Sequence, residues 1–143
     1  MKIEIIHASS KDFEDVYDLL CHLWAKPRIN KKKLIPIYIS QIKYGKKFLF
    51  AKVDDKYVGM ISLNTKLDIE SHGKVGLIEE LVVIDSYRNK KIGEKLIYSV
   101  IKEAKKEKCI EVQLYSRIKN IKAHKFYKRF GFNKAAYLFW RNI

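Results

Sequence analysis

The run IEELVV places two carboxylates side by side, Glu79 and Glu80, and the basic segment RNKKIG follows at residues 88 to 93. A carboxylate held on a strand can act as a general base. A helix start offers unpaired backbone N–H groups and the positive end of a dipole, and phosphate is the group that such an end binds well. Gly93 allows close approach of backbone to ligand, and Arg88, Lys90 and Lys91 add positive charge. Farther on, NIKAHKFYKRFGF (residues 120 to 132) puts Tyr127 on one helical face with Ala123, Phe126 and Phe130. A tyrosine hydroxyl in such a place needs a partner or a task.

Each feature also has a plainer reading. Many basic helix starts bind nothing. Asn120 as N-cap, aromatics as core and Gly131 as helix stop account for most of the second segment. A structural ion pair with a nearby lysine accounts for one of the two glutamates. Strand alternation sends Glu79 to one face with Leu77, Leu81 and Val83, and Glu80 to the other with Ile78 and Val82. A bulge would scramble that parity, so both remain candidate bases. His72 and His124 are further candidates, with His124 off the apolar face of its helix.

The elements that must position these residues follow from hydrophobic period and from turn signals. Residues 2 to 7 alternate as a strand. A helix is expected from Ser9 or Ser10, with Phe13, Val16, Tyr17, Leu20 and Trp24 on one face and Ser9–Asp12 as a capping pair. AKPRIN breaks it. A second helix is expected over Leu34 to Tyr44, with Pro36 in its first turn and Gly45 as its stop. Phe48 to Val53 and Tyr57 to Leu67 form a hairpin through Asp54-Asp55-Lys56. Then come a strand at Lys74 to Ile84, a helix at Lys91 to Lys106 facing inward through Ile92, Leu96, Val100, Ile101 and Ala104, and a strand at Cys109 to Tyr115. A helix at Asn120 to Phe130 and a last strand at 135 to 141 complete the order β-α-α-β-β-β-α-β-α-β. The class is α+β (mixed α/β), in one domain over residues 1 to 143.

Bulk properties narrow the classes. A chain of 143 residues, 48% hydrophobic and 32% charged, suits one compact domain with one core. No apolar run is long enough for a membrane span, and the start MKIEIIHASS lacks a signal-peptide core, so a cytoplasmic protein without membrane association is expected. Cys21 and Cys109 stand apart among apolar neighbours and read as free thiols; no metal-ligand cluster is visible, and no metal is expected. The net charge of +14 comes from lysines spread along the chain, which favours a solvated basic surface over a nucleic-acid footprint.

Taken together, the two chemical segments resemble the GCN5-related N-acetyltransferase (GNAT) family over nearly the whole chain. One family signature, Arg or Gln, two residues, Gly, one residue, Gly or Ala, falls on Arg88, Asn89, Lys90, Lys91, Ile92 and Gly93, with lysine at position 91 in place of the usual glycine. The other, Asn-x-x-Ala-x-x-Phe-Tyr followed by Gly-Phe, falls on Asn120, Ala123, Phe126, Tyr127, Gly131 and Phe132. The resemblance implies a mostly antiparallel twisted sheet of six or seven strands flanked by about four helices, with the fourth and fifth strands splayed. It implies acetyl-CoA as co-substrate, its pantetheine arm along Leu81, Val82 and Val83 and its pyrophosphate on the turn from Arg88 to Gly93 with Glu94 beyond. Asn120 and Phe126 would meet the cofactor arm. Tyr127 would stand near the thioester sulfur as general acid, and the parity of Glu79 favours it over Glu80 as base.

Within the family, VYDLLCHLW, YVGMISL, IEELVV and AHKFY are most similar to the small-amine enzymes related to aminoalkylphosphonate N-acetyltransferase. A small-molecule amine acceptor is therefore expected, with no nucleic acid. Family members are often homodimers, which leaves a homodimer open. A protein or peptide amine as acceptor, and a non-catalytic acyl-CoA-binding domain, are the competing readings.

Overall fold

The computed structural model describes residues 1 to 24 and 30 to 143. The chain forms two compact units, Met1–Gln113 and Leu114–Ile143. The order of elements is β1 (Glu4–His7), α1 (Phe13–Leu23), α2 (Lys31–Lys43), β2 (Lys47–Val53), β3 (Lys56–Asp68), β4 (Gly73–Ile78), β5 (Leu81–Val83), α3 (Ile92–Lys106), β6 (Glu111–Leu114) and α4 (Ile121–Arg129). The class is mixed α/β, as expected. The sheet runs β1-β2-β3-β4-β6, and β5 pairs with β3 beside β4. The pairings of β1 with β2, β2 with β3, and β3 with both β4 and β5 are antiparallel.

Local chemistry explains most boundaries. Asp54 and Asp55 both have positive φ (46° and 61°), which gives the two-residue turn that matches strand twist, and Val53 faces Lys56 across it. Asn30 accepts a hydrogen bond from Lys33 N and starts α2 three residues earlier than the apolar pattern suggests. Pro36 accordingly lies inside the helix and not in its first turn. Gly45 takes φ +96°; its N–H reaches Ile42 O, and Lys46 N–H reaches Gln41 O, so the helix ends in a Schellman cap. Asp12 ties back to Ser9, as the capping pair suggested, yet α1 begins only at Phe13. The break expected at AKPRIN falls largely outside the described residues.

The core of the first unit lies between α1, α3 and the sheet. Phe50, Ala51, Val58, Met60 and Ile61 from the sheet and Ile92, Leu96, Ile97 and Val100 from α3 have no exposed surface beyond 1%. Ile97 is buried where Ile101 was expected, because the apolar stripe is wider on that side. Gly59 lets α3 close on the strand: a Cβ there would stand 2.9 Å from Val82 O and 3.1 Å from a Leu96 methyl. At the other end of α3, the nearly buried Glu103 contacts Lys47 at 3.1 Å, His7 at 3.2 Å and Lys106 at 3.5 Å. Burial alone would raise this carboxyl, but the Lys47 hydrogen bond and charge, with smaller effects from His7 and Lys106, outweigh it and hold it below the usual range.

Two expectations fail. The strand over Lys74 to Ile84 is not continuous: it divides into β4 and β5 at Glu79–Glu80. Residues 135 to 141 form no strand. Their alternation is real, but a strand also needs an edge to pair with, and Tyr137, Phe139 and Trp140 stay exposed, with the Arg117 guanidinium 4.9 Å from the Trp140 ring.

Tyr38 of α2 is 2% exposed and donates to Ser9 O at 2.6 Å, fastening α2 to the start of α1. Burial pushes its phenol up to about 12, and Asp12 adds to the effect. The folded value lies above the unfolded value of about 10, so the contribution is complete below pH ~10 and fades as pH climbs toward 12. Tyr38→Phe should therefore cost about 1 kcal/mol at neutral pH through the lost hydrogen bond. It should also flatten the fall of stability between pH 10 and 12, measured by urea unfolding at stepped pH.

Candidate active site

The site starts from a mismatch in strand register. Asn64 faces Leu77 and Ile61 faces Leu81. Between those pairs β3 supplies Ser62 and Leu63, whereas the opposite strand supplies Ile78, Glu79 and Glu80. This is a β-bulge, with three residues set against two. Ser62 bridges it. Its hydroxyl accepts from Glu79 N (3.3 Å) and Glu80 N (3.0 Å) and donates to a Glu80 carboxylate oxygen, while Ser62 N donates to Glu80 O at 2.9 Å.

The bulge overturns the expectation of opposite faces. Both carboxylates meet the same ammonium, that of Lys46: Glu79 Oε1 at 3.1 Å, Glu80 Oε2 at 2.9 Å and Glu80 Oε1 at 3.1 Å. The two acids nevertheless differ. The Glu80 side chain is 12% exposed and both its oxygens are engaged; the Glu79 side chain is 34% exposed and is held through one oxygen. Glu79 can still take up a proton from a group arriving from solvent, and Glu80 cannot do so without losing a bond. Sequence reasoning missed Lys46 and Ser62. A polar residue inside VGMISL and a lysine between the helix stop Gly45 and the apolar run FLFA were the available signals.

β5 continues from the bulge. Ser62 N–Glu80 O and Ile84 N–Val58 O mark its hydrogen-bonded positions, so by alternation Leu81 and Val83 turn their backbone groups away from β3. Val82 is inward and buried. Arg88 Nε reaches Val83 O at 3.4 Å, and its guanidinium pairs with Asp85 at 3.0 Å. A single 3-10 turn, Asp85–Tyr87, then leads to the basic segment. The ammonium groups of Lys90 and Lys56 lie 5.0 and 5.9 Å from the centre of the Tyr87 ring.

Lys91 is the N-cap of α3 in the left-handed conformation (φ 62°, ψ 12°), and Asn89 is also left-handed (φ 59°). Lysine thus adopts the backbone that glycine would favour, at a cost of roughly 1 kcal/mol. No side chain caps the helix, and its first internal bond is Lys95 N to Lys91 O. The N–H groups of Ile92, Gly93 and Glu94 precede that bond and have no intrahelical acceptor. Together with Arg88, Lys90 and the outward backbone of β5, they fit an extended ligand carrying a diphosphate.

In the second unit, Asn120 caps α4 by accepting from Ala123 N at 3.2 Å. Gly131 (φ 87°) ends it: Gly131 N reaches Lys128 O and Phe132 N reaches Tyr127 O. The Phe126 ring lies 5.5 Å from Tyr127 and 4.9 Å from Phe130, and Tyr127 lies 6.0 Å from Phe132. Burial raises the Tyr127 phenol above its ordinary value, so it keeps its proton. His124 Nε2 lies 2.8 Å from Arg117 O. His72 sits exposed just before β4, at the end of that strand opposite the carboxylates. Among the described residues no group of three or more His, Cys, Asp or Glu could hold a metal ion.

Comparison with known proteins identifies the family. The model of the acetyltransferase (GNAT) family matches residues 13–132. The chain is 29% identical over 140 residues to an aminoalkylphosphonate N-acetyltransferase of Salmonella typhimurium strain LT2, covering 98% of this chain and 91% of that one. Among solved structures it resembles an acetyltransferase of Trypanosoma brucei (25% identity, 99% and 100% coverage, TM-score 0.82). It also resembles an aminoglycoside N-acetyltransferase determined with CoA (18% identity, 99% and 95% coverage, TM-score 0.87). The chain belongs to the GNAT family of acetyltransferases and is an N-acetyltransferase.

Proposed function

We propose that the protein acetylates the primary amine of a small, anionic molecule by direct attack, with Glu79 as general base and Tyr127 as general acid. The observation that carries this reading is the bulge, which holds one half-exposed carboxylate at the head of an outward strand edge. That edge leads into a helix start with free amides. Acetyl-CoA, when bound, supplies the activated acetyl group as a thioester.

The residues divide the work. The amides of Ile92, Gly93 and Glu94, with Arg88 and Lys90, hold the diphosphate, and Leu81 and Val83 offer backbone bonds to the arm. A primary amine reaches the site protonated and must lose its proton before it can attack; Glu79 Oε2 is the acceptor. An outward backbone N–H of β5 can stabilise the developing oxyanion. Tyr127 supplies a proton to the departing thiolate. Burial raises the phenol above its ordinary ~10, so Tyr127 reaches this step protonated; giving the proton to a thiolate whose thiol lies near ~8.5 is modestly uphill, and re-protonation of the tyrosinate from solvent draws the step forward. The acceptor class follows from the resemblance to the aminoalkylphosphonate enzyme and from the net charge of +14, which draws anionic amines and repels polycations.

Calorimetric titration with acetyl-CoA should show one site per chain. Arg88→Ala should weaken it about tenfold. Lys91→Gly should keep the affinity while raising thermal stability by up to ~1 kcal/mol, because the left-handed strain is relieved. No binding by the wild-type chain would sink the reading.

In a thiol-release assay with 2-aminoethylphosphonate, Tyr127→Phe should lower kcat about 10²-fold with acetyl-CoA affinity nearly unchanged. Glu79→Gln should lower kcat/KM for the amine by a similar factor while KM for acetyl-CoA stays nearly unchanged. Unchanged amine kinetics in Glu79→Gln, with the loss appearing in Glu80→Gln, would reverse the two roles. A non-catalytic binding domain would bind acetyl-CoA and release no thiol with any amine.

A further inference from the structure

Lys46 has no part in the mechanism above, yet it is the most enclosed charge at the site, with its side chain 2% exposed. An ammonium at that depth is tolerated only where carboxylates and hydrogen bonds replace its water. Both carboxylates come from the bulge, and the Phe48 ring lies 4.9 Å from the same ammonium. The backbone fixes its position. Lys46 is the residue whose N–H closes the Schellman cap of α2, directly after the left-handed Gly45 and directly before β2.

Two carboxylates and one ammonium leave the cluster with one negative charge. The bonds decide where it sits. Glu80 receives Lys46 on both oxygens and Ser62 on one of them. Glu79 receives Lys46 on Oε1 alone, and among the described residues no donor reaches its Oε2. Without the ammonium, two adjacent carboxylates directed to one side would repel each other at low effective dielectric.

We propose that Lys46 is a positioning residue for acetyl transfer: its ammonium neutralises Glu80 and holds Glu79 as the single anionic acceptor that receives and orients the cationic amine. The proposal rests on the transferase reading. The experiment compares the full-length wild type with Lys46→Met, Lys46→Arg and the double variant Lys46→Met/Glu80→Gln, in kcat and KM for 2-aminoethylphosphonate and for acetyl-CoA and in thermal melting. Lys46→Met should lower kcat/KM for the amine about 30-fold while KM for acetyl-CoA stays within about threefold. Lys46→Arg should recover most of the loss. The double variant restores the charge count and should recover at least about half of it on a logarithmic scale, since coupled groups are non-additive.

A purely structural lysine would give losses that follow the melting temperature for both substrates, with no recovery in the double variant. That result, or amine kinetics unchanged in Lys46→Met, overturns the proposal. If the wild type transfers acetyl to no amine, the transferase reading fails instead. The positioning claim then falls with it, and a double variant that melts above Lys46→Met shows only that the ammonium offsets the paired carboxylates of the bulge.

Discussion

A buried ammonium holding a strand open is the constraint on which this structure turns. Lys46 cannot stay at 2% exposure without anions, and the sheet around it is apolar. Regular pairing would send one of two adjacent glutamates away. The extra residue in the bulge brings both to the same side, and Ser62, itself fully buried, takes up the backbone N–H groups that the mismatch frees. Polar satisfaction and strand geometry therefore support each other here: if either is removed, a buried charge or a pair of amides is left without a partner. The break between β4 and β5 is the visible outcome.

The same break has a consequence farther along. β5 lies off the path through β4 and β6, and leaves backbone groups of Leu81 and Val83 directed away from β3. Two residues later the chain enters a single 3-10 turn and then passes through two left-handed residues into α3. α3 is fixed by its buried stripe from Ile92 to Ala104, and Gly59 sets how closely it approaches β3 and β5. The free amides at its start thus inherit their place from core packing. That explains how lysine can serve at position 91. The packing of a fifteen-residue helix easily outweighs the roughly 1 kcal/mol of left-handed strain.

What was legible in the sequence follows physical locality. Helix stops at Gly45 and Gly131, the Asp54-Asp55 turn, the Asn120 cap and the inward faces of α1 and α3 depend on a few neighbouring residues, and these the pattern states. The segment from Arg88 to Gly93 was legible for the same reason. The bulge was not, because it exists only as a relation between β3 and the strand opposite; IEELVV alone reads as an unbroken strand. Lys46 was missed because its role depends on partners 33 and 34 positions away. The last strand was over-read: YLFW satisfies the local pattern, but pairing is a tertiary property.

Charge links the two scales. The chain carries +14 overall, whereas the cluster of Lys46, Glu79 and Glu80 carries one net negative charge. A long-range positive field favours a ligand that is anionic as a whole, and a short-range negative charge favours an ammonium group. A zwitterion with a phosphonate or carboxylate at one end and an amine at the other satisfies both, and it also prefers one orientation. On the proposed reading, the far field acts on the anionic end while the amine meets the Glu79 carboxylate. A polyamine would meet the same carboxylate but would be repelled on approach, and a neutral amine would gain nothing from the outer field. On the proposed reading, the excess of lysine then contributes to selection of the acceptor as well as to cofactor binding. It does so most at low ionic strength, because the surface field is screened beyond roughly 10 Å in 0.1 M salt, whereas the contact at Glu79 is not.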